Sequence, residues 1–258
     1  MNYLLLPNNP TQFIGAKPRT FKLDPVGSGN TTIVNSIQWS VSDPEIASIS
    51  ASGDLTALKE GMIKVSAVDN INGSFHTSSF PVVKLELTEL TRQSIFKGGF
   101  ITSSYLPSFS IEFFENSFLE PENVSLSVVA NPPPFPAGTR AVGPIFALSP
   151  IDTKLLREAV IRVDSGPIIQ YAHEKQTIIV AEKDLHFFVY NSDSSRWEEV
   201  PTTPDQAGHW YLPVSKLGLF TFLTPDFGPS GYYEKDGPIS RKRVGSGCAT
   251  IYNNDQDH

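Results

Sequence analysis

Between Ile37 and Ala67 apolar side chains alternate with polar ones in short runs, and each run is closed by residues that turn a chain. Ile37, Trp39 and Val41 form one run and Ile63, Val65 and Ala67 another, with Ile46 and Ile49, then Leu55 and Ala57, marking shorter runs between them. Successive side chains of a strand point to opposite faces, so this period commits one face of each run to a core. Asp43-Pro44, Ser52-Gly53 and Glu60-Gly61 supply turn chemistry at the breaks. The pattern predicts short strands joined by tight turns.

A single immunoglobulin-sized sandwich needs roughly 100 residues, and this chain has 258. Two sandwiches and a tail account for that length. Hydrophobic residues make up 40% and charged residues 18%, so the polar share falls to Ser, Thr, Asn, Gly and Pro, which suits turn-rich β structure better than salt-bridged helices. The formal net charge of -7 argues against nucleic acid as a partner, because phosphate affinity comes mainly from Lys and Arg that displace counterions. One cysteine, Cys248, rules out an intramolecular disulfide and a cysteine zinc cluster. The start, Met1 to Pro7, lacks a basic region and a small-residue cleavage site and does not read as a secretory signal. If the protein works outside the cell, the chain is expected to be a mature form, a fragment, or a reading frame without its leader. No window reaches the length of a membrane span.

A first unit is expected at 3–85, with strands near Leu4-Leu5-Leu6 and Phe21-Lys22-Leu23, a loop at Ser28-Gly29-Asn30-Thr31, and a hairpin turn at Asp69-Asn70-Ile71-Asn72-Gly73 feeding a last strand to Val83. Pro81 marks that strand as an edge or an end. Residues 86–97, rich in Thr and charge, read as a short connection compatible with a modest interface between the units. A second unit is expected at 98–225. Its strands are Phe100–Ser104, Phe109–Phe114, Val124–Val129, Val142–Leu148, Ala159–Val163, Leu185–Tyr190, Trp197–Val200, His209–Val214 and Leu219–Leu223. Their spacing, with no 3.6-residue stripe between them, favours a sandwich over an alternating α/β fold. Beyond Leu223 the composition shifts to Gly, Pro, Asn and the basic run Arg241-Lys242-Arg243, and 226–258 reads as a flexible tail. The predicted class is therefore all-β: two β-sandwich domains and a tail without a fixed fold.

The Trp39-Ser40 strand, the Asp43-Pro44 turn, Ala47-Ser48-Ile49, Gly53-Asp54-Leu55-Thr56-Ala57-Leu58 and the Gly61-led strand resemble the bacterial immunoglobulin-like domains of group two. The second unit is similar, more loosely, to bacterial relatives of the sandwich domain shared by netrin receptors, ankyrins and tight-junction scaffolds. Gly98-Gly99-Phe100-Ile101, Val142 to Pro150 and Ala159 to Val163 carry that likeness, with the Tyr190 strand and the following Trp197 at its end. Phe113 to Leu119 departs from the family pattern. Some members of the second family cleave themselves at a His-Phe-Ser site; the corresponding stretch here, Lys216 to Thr221, has no nucleophile in that arrangement, and no autoproteolysis is expected.

Candidate chemistry is sparse. The histidines at 76, 173, 186, 209 and 258 show no metal-ligand spacing, and no nucleophile elbow, phosphate loop or dinucleotide fingerprint occurs. Glu198 and Glu199 fall on opposite faces of a strand, and Glu120 and Glu122 border Pro121 in a turn; all four read as solvated charges. The resemblance to group two implies calcium as an option, and Asp69, Asn70 and Asn72, or Asp193 with Ser192 and Ser194, are oxygen-rich loops, yet neither follows a ligand pattern. No cofactor or metal is expected. Trp39 is assigned to the core. Trp210 and Tyr211 lie on opposite faces of one strand, so at least one is available to stack on a sugar, and the pair is the candidate glycan contact; Tyr232-Tyr233 in the tail is a further sticky element.

The reading is a non-catalytic module of a bacterial surface or secreted protein, located outside the cell or in its envelope. Its role is adhesion, spacing or ligand presentation, with a surface polysaccharide or an extracellular protein as partner. The alternative is a carbohydrate-binding accessory segment of a larger polysaccharide-active enzyme.

Overall fold

The alternation between Ile37 and Ala67 becomes a strand pair: Ile37–Val41 runs antiparallel to Gly61–Asp69, with Trp39 opposite Ala67 and Val41 opposite Val65. This computed structural model describes residues 3–25, 37–71, 73–103, 106, 108–176 and 178–226. The loop at 28–31, Asn72, and the tail after 226 with Tyr232, Tyr233, Cys248 and His258 lie outside the described residues. Past the turn at Asp69, Phe75–Val83 pairs back on Gly61–Asp69, setting Ile63 opposite Phe80. Gln12–Phe13 adds a short parallel neighbour, but only at Val82 and Val83. Pro81 therefore stands on an effectively open edge, as its lack of an N–H requires.

Against this sheet lie the three-stranded sheet of Arg19–Thr20, Asp54–Ala57 and Ala47–Ile49 and the ribbon of Tyr3–Leu6 with Lys22–Pro25. Leu5, Leu23, Ala47 and Leu55 from the small sheets, with Phe21 between two of their strands, meet Ile63, Val65, Ala67, Phe80 and Val82 in one buried core. Phe21 stacks on Phe80 with ring centroids 5.4 Å apart. Trp39 is half-buried and packs at the margin of this core. Gly53 makes that possible. Its backbone is left-handed, at φ +86°, and an added Cβ would lie 2.6 Å from the Phe21 carbonyl oxygen and 3.0 Å from the Trp39 ring.

The second sandwich is antiparallel throughout. One sheet has six strands in the order Leu87–Ile95, Glu122–Val129, Thr139–Ser149, Leu219–Pro225, His186–Asn191 and Arg196–Glu199; the other has Gly99–Thr102, Ser110–Phe113, Lys154–Asp164 and His209–Lys216. All nine predicted strands are present. Between the sheets Ile101, Ile111, Phe113, Ile161 and Leu212 face Leu126, Val142, Phe146, Phe187 and Phe220. Phe146 stacks on Phe109 and Phe220 at 4.8 and 5.5 Å.

Two features differ from the sequence reading. Residues 86–97 are no mere connection, because Leu87–Ile95 pairs along Glu122–Val129 as the edge of the six-stranded sheet. Most of its side chains are exposed, which explains why charge and Thr hid it. The helix Ser165–Tyr171, continued by a wider turn over Ala172–Gln176, was also missed. Gly166-Pro167 reads as a breaker, yet proline is tolerated in a first helical turn. The segment covers a bulge in Thr139–Ser149, where Gly143 takes φ +83°. There the Gln176 side chain accepts from the Gly143 N–H at 2.9 Å and donates to its carbonyl at 3.2 Å.

Gly53→Ala is expected to destabilise the first sandwich by more than the roughly 1–2 kcal/mol of a forced left-handed residue. Gly15→Ala, at φ +80° with open space around it, should cost only that conformational amount. Urea unfolding of the two variants side by side checks the difference.

Candidate functional site

Buried positions alternate at Arg19, Phe21 and Leu23, with exposed Thr20 and Lys22 between them. The same period that sends two apolar side chains inward sends a guanidinium with them, and Arg19 is only 7% exposed. A buried charge needs partners. Within the first sandwich, Nε donates to Gln12 Oε1 at 2.9 Å and Nη2 to the Thr11 carbonyl at 3.2 Å. The remaining partners belong to the second sandwich: Asp152 Oδ2 at 3.0 Å, Asp193 Oδ1 and the Ser192 carbonyl. Lys216 completes the group, its Nζ 2.8 Å from Asp152 Oδ1 and 3.7 Å from Asp193 Oδ2. Two cations thus meet two carboxylates.

The backbone around this group is shaped for it. Asp152, Ser195 and Asn9 all have left-handed φ, at +67°, +54° and +54°. The Thr11 N–H donates to the Ser192 carbonyl at 2.8 Å and the Lys17 N–H to the Ile151 carbonyl at 3.0 Å. Thr11 Oγ1 donates to Ser195 Oγ, which donates to the Asn9 carbonyl. The Tyr190 hydroxyl, 2.9 Å from Thr11 Oγ1, therefore supplies the first proton of that chain. Burial pushes the Tyr190 phenol up, with the bonds to Thr11 and Ser195 opposing only part of the rise. At the hairpin of Arg196–Glu199, burial raises the Glu198 carboxyl, but hydrogen bonds from Asn191, Ser194 and Arg196 outweigh it and hold the group below its usual value.

An apolar cluster lies beside the ion group. Phe13 and Leu85 of the first sandwich pack on Val129, Ala147, Tyr190, Trp197 and Leu219, on the outer face of the six-stranded sheet. Phe13 and Tyr190 meet edge to face at 5.7 Å, and the Trp197 indole N–H donates to the Pro133 carbonyl at 3.2 Å. Above Arg19 the junction opens into a cleft of about 580 Å³. Lys17, Arg19, Thr20 and Lys22 line it from one side, and Asp152, Lys154, Asp193 and Lys216 from the other. This junction cleft is the candidate site.

The residues singled out in the sequence are placed elsewhere or used differently. Trp210 is 2% exposed, packed edge to face on Phe222 at 5.2 Å, so its ring has no free face for a sugar. Tyr211 is 50% exposed on the open face of the four-stranded sheet, with the Arg162 guanidinium 5.9 Å from its ring. Asp69 is buried and shapes its own turn by accepting the Ile71 N–H at 2.9 Å. Asp193, the other loop carboxylate, is committed to Arg19 and Lys216. Glu122 bonds Lys17 at 2.8 Å across the junction. His186 pairs with Glu199, and His209 with Asp164. Among the described residues, no three His, Cys, Asp or Glu side chains converge as a metal ion would need. Arg19, Asp152 and Lys216 were not singled out. The one local signal was a cation at an inward-facing parity; its partners lie 133 and 174 residues away.

Asp152→Ala leaves Arg19 and Lys216 facing one carboxylate in place of two, and is expected to cost about 3–5 kcal/mol, measured by urea unfolding. The raised Tyr190 phenol stabilises the fold fully below the ordinary tyrosine value of about 10, and that contribution is lost as pH rises through the higher folded value. Melting temperature should therefore fall from pH 10 upward, and Tyr190→Phe should show a shallower fall.

Residues 18–79 match the family model of the bacterial Ig-like domain (group 2). Domains of this group have a non-catalytic immunoglobulin-like fold and are typically found in cell-surface or secreted proteins. No family match accompanies the likeness noted for the second sandwich. A comparison with curated proteins finds no match. Among the described residues, no helix is long and apolar enough to cross a membrane.

Proposed function

We propose that the two sandwiches act together as a stiff, non-catalytic module of the bacterial cell envelope or of a secreted protein, serving adhesion, spacing or ligand presentation. In this reading the first domain runs over 3–85, and the second takes in the strand at 87–95 and ends near 225. The observation that carries it is the junction: an apolar cluster and a buried ion group fix one sandwich against the other. A spacer or presenting module transmits position and force only if its units do not swivel, and most interdomain interfaces within a chain allow relative motion unless they are large and apolar. The family match at 18–79 supports the envelope setting. Antibody against the purified chain should label intact cells of the bacterium that encodes it; labelling confined to permeabilised cells defeats the reading.

A second reading, a carbohydrate-binding accessory segment, draws on Tyr211. In the strand register Ser110 stands opposite Arg162 and Arg162 opposite Tyr211, which sets a hydroxyl, a guanidinium and an exposed ring in one row across an open sheet face. Rings offer sugars an apolar platform and the polar groups can bond their hydroxyls. On a glycan array this reading expects a saturable signal that Tyr211→Ala removes and that Trp210, held in the core, does not govern.

A further inference from the structure

We infer that the junction cleft is a binding site for an acidic polysaccharide, a chain of sugars bearing carboxylates. The inference goes beyond the envelope reading and does not depend on it. The chain as a whole carries a net charge of -7, yet the cleft is lined by five cations, Lys17, Arg19, Lys22, Lys154 and Lys216, against two carboxylates, Asp152 and Asp193. Arg19 and Lys216 are neutralised by those carboxylates, and Lys17 by Glu122. The side-chain ammonium groups of Lys22 and Lys154, both exposed, have no ionic or hydrogen-bonded partner among the described residues. Lys154 stands directly opposite Lys216 in the strand register, and the carboxylates that balance Lys216 leave Lys154 uncompensated. A ligand anion between the two walls has Lys22 and Lys154 as its unpaired partners, one on each side.

The remaining lining decides the class of anion. Asp193 is about half exposed at the mouth of the cleft and offers only acceptors. Asp193 repels any polyanion, and a densely charged phosphate chain, without hydroxyl donors, gains nothing there in return. A uronate chain spaces its charges one to a sugar: its carboxylates suit Lys22 and Lys154, while its hydroxyls can donate to Asp193 and to the Thr20 oxygen, whose own proton goes to Asp54. Among the described residues no aromatic ring lines the cleft, so recognition is by charge and hydroxyls rather than by stacking.

The test titrates the full chain with a galacturonic acid pentamer, a neutral galactose pentamer and polyphosphate by calorimetry at low salt and at about 0.15 M, where exposed charges are screened beyond about 8 Å. Saturable binding of the uronate alone, weakened by salt, is expected. The Lys22→Gln/Lys154→Gln double variant should bind about fivefold or more weakly, the size of two lost exposed ion pairs, with a melting temperature no lower than the parent's because neither ammonium is ion-paired within the fold. Binding that is absent, equal for polyphosphate, or unchanged in the double variant overturns the inference. Tyr211→Ala separates this site from the sheet face: it should leave the uronate affinity intact.

Discussion

A guanidinium buried at an inward-facing strand position has to be neutralised, and in this protein the means of doing so lie in another sandwich. Arg19 takes two acceptors from its own domain and three from the second. Removing one partner of such a pair leaves a charge in a poor solvent, which is far costlier than losing an apolar contact. The first sandwich is thereby tied to one position on its neighbour. Apolar burial of Phe13 and Leu85 against the six-stranded sheet supplies non-directional attraction, and the ion group selects the orientation.

The cleft follows from the same arrangement. The two sandwiches leave a gap beside their joint, and its walls are whatever side chains flank the buried ions. Asp152 and Asp193 satisfy the inner cations, so the outer ones, Lys22 and Lys154, are left with water. Charge selectivity at the mouth is thus a by-product of how the interior was neutralised.

The sheets were legible because alternation is a local signal. Ile63, Val65 and Ala67 point inward by period two and do so in the structure. The edge strand Leu87–Ile95 was not legible, since an edge whose faces are both largely solvated carries no alternation. The helix at Ser165–Tyr171 was hidden by Gly166-Pro167 and by its brevity. Of the candidate sugar contacts, parity correctly separated Trp210 from Tyr211 but could not tell which face was the core. Arg19 was the hardest, because nothing near it in sequence reveals a salt bridge to the far half of the chain.

That separation also sets an order of events. Asp193 follows Arg19 by 174 residues, and the loop that carries it is held by a hairpin near the end of the second sandwich. As the chain is made, the first sandwich can collapse around Phe21, Val65 and Phe80 long before its arginine has a counter-ion. Until the last strands arrive, that domain holds an unpaired cation and an uncovered Phe13, a state suited to recognition by chaperones and to unwanted association. Closure of the junction is therefore a late step that reports completion of the whole β structure.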